Sequence, residues 1–260
     1  MRAFLHNLLK NPREPVEINS LDQFTLTDGN AEYFRHFDPR PLTTLSEREI
    51  MALRPKVHEL LTRTFPDSVF VKTHQFLGEI KGMPLISMDY TAGAIYIVRN
   101  PLDLVISYAN HFGVTIDEAI EAIGSAGTAS KPSDRKAQEY FASWSLHVKS
   151  WTQTKLRTLH VVRYEDLQLR EYESFEGVAQ FLGLEPPRER LERAISNSSF
   201  WVLQAQEKER GFAERSEHTR FFREGRFGAW KSALSREQVR QIVSDHREEM
   251  EHFGYVPEGY

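Results

Sequence analysis

Cysteine is absent from the 260 residues. That excludes disulfides and thiolate metal sites, and it is compatible with a reducing compartment. No apolar run approaches the ~20 residues that a membrane-spanning helix needs. Charge of one sign is lacking too: 33 basic side chains stand against 37 acidic ones, a net charge of −4. A broad basic surface for nucleic acid or an anionic membrane is thereby excluded, and any anion must be caught by local arginines and backbone donors. The first residues, Met1 to His6, lack a signal-peptide layout, because His6 and Asn7 interrupt the apolar positions. The expectation is a cytoplasmic chain with no nucleic-acid partner and no membrane span. Oligomeric state is left open.

What is present is globular. With 40% apolar and 27% charged residues, and no repeat, coiled coil or dividing linker, the chain reads as one domain over residues 1–260. Met1, Phe4, Leu5, Leu8 and Leu9 recur at helical spacing, so the chain is expected to open on an amphipathic helix. Three runs rich in β-branched residues, 69–71, 94–98 and 159–162, read as buried strands. They lie far apart with helical pattern between them, which predicts parallel strands joined by helical crossovers rather than hairpins. Ser46 with Glu49, and Ser235 with Gln238, form capping-box patterns. Asn100 and Pro101 open a helix that Gly113 closes. Residues 11–45, 124–133 and 206–220 carry little pattern and read as mobile.

In a parallel α/β sheet, ligands sit at the carboxyl ends of the strands. The second run delivers Arg99 there, and Asp103, Ser107 and His111 then form one polar stripe on the following helix. A guanidinium is a planar fork suited to a phosphate, and a hydroxyl on that stripe is placed to share it. The bland alternative is an arginine capping a carbonyl and a serine packed on a neighbouring helix. The first run leads to Lys72-Thr73-His74. A neutral imidazole, with an ordinary pKa near ~6.5, can take a hydroxyl proton, and an ammonium can stabilise charge on a leaving oxygen. Surface or structural roles compete for both side chains. Trp144, His147 and Trp151 fall at i, i+3 and i+7, a core-packing pattern with one polar member. The third run leads into Tyr164-Glu165-Asp166-Leu167. Near the carboxyl end, the glycines in Phe222-Arg223-Glu224-Gly225-Arg226-Phe227-Gly228-Ala229-Trp230 would let backbone approach a phosphate, unless this is an ordinary basic surface loop.

Taken in order, these segments resemble the family of cytosolic sulfotransferases that use 3′-phosphoadenosine 5′-phosphosulfate (PAPS). Arg99, Asn100, Asp103 and Ser107 keep the register of its arginine-asparagine-x-x-x-aspartate motif, with a serine eight residues after the arginine. Lys72-Thr73-His74, Tyr164-Glu165-Asp166, Phe181-Leu182-Gly183, Asn197-Ser198-Ser199-Phe200 and the loop through Trp230 follow in family order. The resemblance implies an α/β fold, a P-loop-NTPase-like parallel sheet flanked by helices. It implies PAPS as co-substrate, no metal, and a small-molecule acceptor carrying a hydroxyl or amine. His74 would be the base, with Lys72 assisting at the leaving side. Arg99, Ser107, Arg223 and Gly225 would hold the 3′-phosphate, while Tyr164, Ser198 and Phe200 would lie at the adenine.

Two departures stand out. Glu224 occupies a position where the family has lysine, and a carboxylate beside a phosphate weakens binding unless it turns away or pairs with Arg226. The family's first strand and its proline-lysine-serine-glycine-x-threonine-tryptophan phosphate loop are lacking from the sequence. The resemblance therefore implies that Met1 is an internal methionine and that a strand is missing from within the sheet. Each unsatisfied buried backbone group costs ~1–3 kcal/mol against a net stability of ~5–15 kcal/mol, so the 260-residue product is expected to fold poorly or be inactive. A non-catalytic or vestigial PAP- or PAPS-binding protein is the alternative. A kinase is disfavoured, since no Walker-type Gly-Lys-Ser/Thr loop accompanies the motifs. Residues 11–45, 75–92, 124–133 and 206–220 are expected to frame the acceptor pocket. Phe76, Phe112 and Phe141 could line it, although packing accounts for each.

Overall fold

The computed structural model describes every residue except 155–157, 215–219 and 224. The Glu224 departure and part of the 206–220 stretch thus lie outside the described residues. The fold is α/β, with parallel strand pairs flanked by helices. Its strands are β1 (Thr25–Thr27), β2 (Phe70–Lys72), β3 (Glu79–Ile80), β4 (Met83–Pro84), β5 (Ala94–Val98) and β6 (Leu159–Arg163). β1 runs parallel to β2, with Thr27 opposite Lys72. β5 pairs with β6. The Ala94 N–H meets the Thr158 carbonyl at one end of that pair and the Tyr164 N–H meets the Val98 carbonyl at the other, so start lies by start and the pair is parallel.

The chain forms two compact units. The first comprises Met1–Phe24, Ile95–Glu121 and His160–Tyr260, the second Thr25–Ala94 and Ala122–Leu159. In the first, the helix Arg2–Lys10 buries Phe4, Leu5 and Leu8 and packs on the helix Arg188–Asn197. Phe4 meets Phe175 with ring centroids 4.2 Å apart. The Arg190 guanidinium donates to the Leu8 carbonyl at 2.7 and 2.9 Å, satisfying a carbonyl that the helix end leaves open. Leu102, Val105, Val239, Ile242 and Met250 extend this core. In the second unit, the capping box at Ser46 and Glu49 starts the helix Glu47–Thr62, whose Ile50, Val57 and Leu61 pack with Leu26, Phe34 and Leu42.

Several expectations need correction. Residues 11–45 hold a strand and short helices. β1 escapes notice because Thr25-Leu26-Thr27 is too short and too polar to make a run. β3 and β4 form a hairpin, closed by Lys81 and Gly82 at φ 53 and 75°, so connections are not all helical. The strands are also not fully buried. Val71, Ile97 and Val161, one on each of three ladder strands, are 41, 38 and 37% exposed, because each parallel ladder has only two strands.

Candidate active site

A half-buried cationic corner is built where β5 turns into the helix Pro101–Phe112. The Asn100 carboxamide oxygen accepts the Leu102 N–H at 3.0 Å and starts that helix, with Pro101 in its first turn. Buried Glu165 braces the junction: one carboxylate oxygen accepts the Asn100 N–H at 3.0 Å, the other the Tyr255 hydroxyl at 2.7 Å. Burial and the Glu165 contact both push the Tyr255 phenol above its ordinary range. The turn so fixed presents Arg99. Its Nη1 donates to Ser107 Oγ at 2.8 Å, and its guanidinium carbon lies 4.5 Å from the Tyr164 ring centroid. Three residues from two segments singled out in the sequence thus converge on one cationic corner.

Residues 221–223 and 228–230 are clamped from two sides. Asp103, 2% exposed, accepts the N–H of Gly228 at 2.6 Å and of Trp230 at 3.1 Å. On the helix Phe200–Arg210, Gln204 donates to the Phe222 and Arg223 carbonyls, each at 2.8 Å. Glu207, buried, accepts the Phe221 and Phe222 N–H groups at 2.7 and 2.8 Å. Gly225 has φ 60°, and a Cβ there would stand 2.5 Å from the Phe200 ring, so only glycine fits between ring and loop. Phe200 and Gly225 are therefore in contact. Arg223 is exposed. Ser198 is turned elsewhere: its hydroxyl bonds the Ala194 and Ile195 carbonyls of its own helix at 2.8 and 3.1 Å.

Lys72 and His74 belong to the second unit. Lys72 ends β2 and is half-buried, whereas His74, two residues further on, is exposed. The segment is strapped down by side chains. Thr73 Oγ accepts the Gln75 N–H at 3.1 Å, the Trp151 indole donates to the Gln75 carbonyl at 3.1 Å, and Ser150 Oγ accepts the Leu77 N–H at 2.9 Å. His147 Nε2 lies 3.4 Å from the His74 carbonyl, and burial lowers its imidazole to about 4. The helix Trp144–Thr152 thus packs by Trp144 and Trp151 and also steadies this segment. Phe76 packs beside buried Met51, Leu85 and Tyr140.

Sequence reasoning gave Asp103 and Glu165 no task and passed over Gln204 and Glu207. Phe200, Gln204 and Glu207 stand at i, i+4 and i+7, one helix face, a signal that pointed to a shared neighbour. Among the described residues, no cluster of His, Asp or Glu could hold a metal ion, and no helix is long and apolar enough to cross a membrane.

Comparison with solved structures finds the same fold. A mouse sulfotransferase, SULT7A1, complexed with PAP matches at TM-score 0.61 and 17% identity, over 95% of this chain and 78% of that one. Retinol dehydratase in complex with androsterone and the inactive cofactor PAP matches at 0.64 and 17%, over 96% and 76%. In sequence, mouse sulfotransferase 1A1 is 26% identical over 182 residues, 65% of this chain and 58% of that protein. Mouse sulfotransferase 1 family member D1 is 27% identical over 210 residues, 74% of this chain and 65% of that protein. The chain thus spans less than two thirds of either curated relative. The sulfotransferase domain profile matches residues 24–254, and the chain belongs to that family.

Proposed function

We propose that this chain carries the nucleotide and base elements of an enzyme moving a sulfuryl group from PAPS to a hydroxyl or amine of a small-molecule acceptor. The supporting observation is the Arg99–Ser107 pair beside the Tyr164 ring, a fork and a hydroxyl on one side of an aromatic face. That donor set fits a ribose-borne phosphate. Arg223 and the glycine-permitted backbone at Gly225 would add to it, with Tyr164 and Phe200 flanking the adenine. Bound there, PAPS supplies the sulfuryl group to the acceptor. His74 takes the acceptor's proton, and the Lys72 ammonium stabilises negative charge on the leaving side. Most of the acceleration then comes from positioning and fixed charge. Ser198, with its hydroxyl held by its own helix, would reach adenine only after rotating.

The test separates binding from transfer. PAP affinity is measured by calorimetry, and sulfation is screened over phenols, alcohols, amines and sugars, with PAPS and ATP compared as donors. PAP binding with PAPS-dependent sulfation that His74→Ala abolishes is the expected result. ATP-dependent transfer, or sulfation untouched by His74→Ala, overturns it. A second reading, nucleotide binding without transfer, is favoured by Glu224, a carboxylate where the family has lysine. PAP binding with no sulfation of any acceptor supports that reading instead.

A further inference from the structure

We propose that Asp28 is the positioning residue of the Lys72–Thr73–His74 segment, fixing the turn that presents His74 through the hydroxyl of Thr73. The register puts the two side by side. Thr27 pairs with Lys72 at the end of the parallel β1–β2 ladder, so Asp28 and Thr73 are the next residue on each strand. The Asp28 N–H still reaches the Lys72 carbonyl at 3.4 Å. Beyond it, Thr73 Oγ donates to Asp28 Oδ2 at 2.9 Å and accepts the Gln75 N–H at 3.1 Å. That closes a side-chain turn around His74 from Thr73 to Gln75. Gln75, fully buried, is held in turn: its Oε1 accepts the Tyr140 N–H at 2.7 Å.

The contrast in burial carries the argument. His74 is exposed, yet Asp28 is 2% exposed and Gln75 0%. An open imidazole is mounted on a closed polar clamp. Burying a carboxylate is costly, yet Asp28 is kept buried here to accept the Thr73 hydroxyl. Arg54 and Glu139 act on Asp28 electrostatically, and the His58 ring nitrogen lies 4.0 Å from it. Burial raises the Asp28 carboxyl to about 6, with Arg54 pulling the other way.

This inference rests on the reading of His74 as the base, and the experiment keeps the two apart. The full chain is labelled at histidine Cε1, the His74 resonance is assigned by its loss in His74→Gln, and it is followed through pH in Asp28→Ala, Thr73→Val, Thr73→Ser and Asp28→Asn. Sulfation is measured in parallel. Asp28→Ala and Thr73→Val are expected to move or broaden the His74 resonance and shift its titration midpoint. Loss of that positioning lowers kcat about tenfold or more, with acceptor KM little changed. Thr73→Ser and Asp28→Asn, which keep the donor and the acceptor, restore the wild-type resonance. Thr73→Val is the isosteric fallback should Asp28→Ala not fold. A His74 resonance identical to wild type in Thr73→Val and Asp28→Ala overturns the proposal, whether or not kcat falls. If the resonance responds as stated while no variant sulfates any acceptor, the positioning stands and the transferase reading falls.

Discussion

The carboxylate of Asp103 accepts the Gly228 N–H at 2.6 Å, joining residues 125 apart in sequence. One side of this bond is the helix that Arg99 precedes, and the other is the loop that carries Gly225. With Trp230 N–H on the second oxygen at 3.1 Å, two backbone donors depend on one buried side chain. Removing it leaves both without their acceptor, and each buried unsatisfied group costs about 1–3 kcal/mol. Asp103→Ala is therefore expected to lower stability by about 2 kcal/mol or more and to speed amide exchange at Gly228 and Trp230. Asn, which keeps one accepting oxygen, should fall between. Unaltered exchange at both amides in Asp103→Ala would show that the loop is held by something else.

Arg99 and Ser107 should control recognition of the 3′-phosphate and little else. Lysine keeps the charge at position 99 but loses the fork. A charge-assisted hydrogen bond is worth about 1.5–3 kcal/mol, so Arg99→Lys should weaken PAP about ten- to hundredfold, and Ser107→Ala less. AMP lacks the 3′-phosphate and serves as the control ligand. Its affinity should change little in either variant, so the PAP-to-AMP preference collapses. Parallel losses for PAP and AMP would move Arg99 away from the 3′-phosphate.

At Gly225, sterics rather than charge decide. Its φ of 60° disfavours any Cβ, and the built Cβ sits 2.5 Å from the Phe200 ring. Gly225→Ala should displace the ring or the loop and weaken PAP binding, with a smaller effect on the melting temperature. In a Phe200→Ala background the steric part of that loss disappears, so the two substitutions should be non-additive. Strict additivity would separate Gly225 from Phe200.

Local signals made the corner legible. A capping asparagine followed by proline, and a serine eight positions after an arginine, belong to one short segment, so the helix started there carries Ser107 within reach of the Arg99 side chain that precedes it. The capping boxes at Ser46 and Ser235 formed for the same reason. What stayed hidden depends on distant pairing. β1 shows no run of its own and exists because Thr25 to Thr27 lie against Phe70 to Lys72, and Asp28 gains its meaning only from that register. Glu207 and Gln204 looked like the polar side of a charged helix, yet they bind the backbone of a loop more than a dozen residues away. The exposure of Val71, Ile97 and Val161 was equally unreadable, because β-branched side chains predict a strand and not what covers it.

Acid should destabilise the protein through its buried histidines. Burial holds His58 and His246 at about 4, against an unfolded value near ~6.5. In the window between, the unfolded chain binds more protons than the native one, so stability is full above pH ~6.5 and is lost as pH falls toward ~4. Each side chain accounts for up to about 3 kcal/mol of that loss. Asp28 acts in the opposite sense. Its carboxyl, raised to about 6 by burial, binds a proton more readily in the native state, so its contribution is present at low pH and lost as pH rises toward ~6. Two depressed histidines outweigh one raised aspartate, and half-buried His147, also at about 4, adds to their side. Urea unfolding between pH 4.5 and 6.5 should give a free energy that climbs with pH. His246→Gln should flatten the climb, and Asp28→Asn should steepen it, because the opposing group is gone. A wild-type profile that falls with pH, or one indifferent to His246→Gln, would mean these imidazoles are solvated and charged in the native state, contrary to their burial.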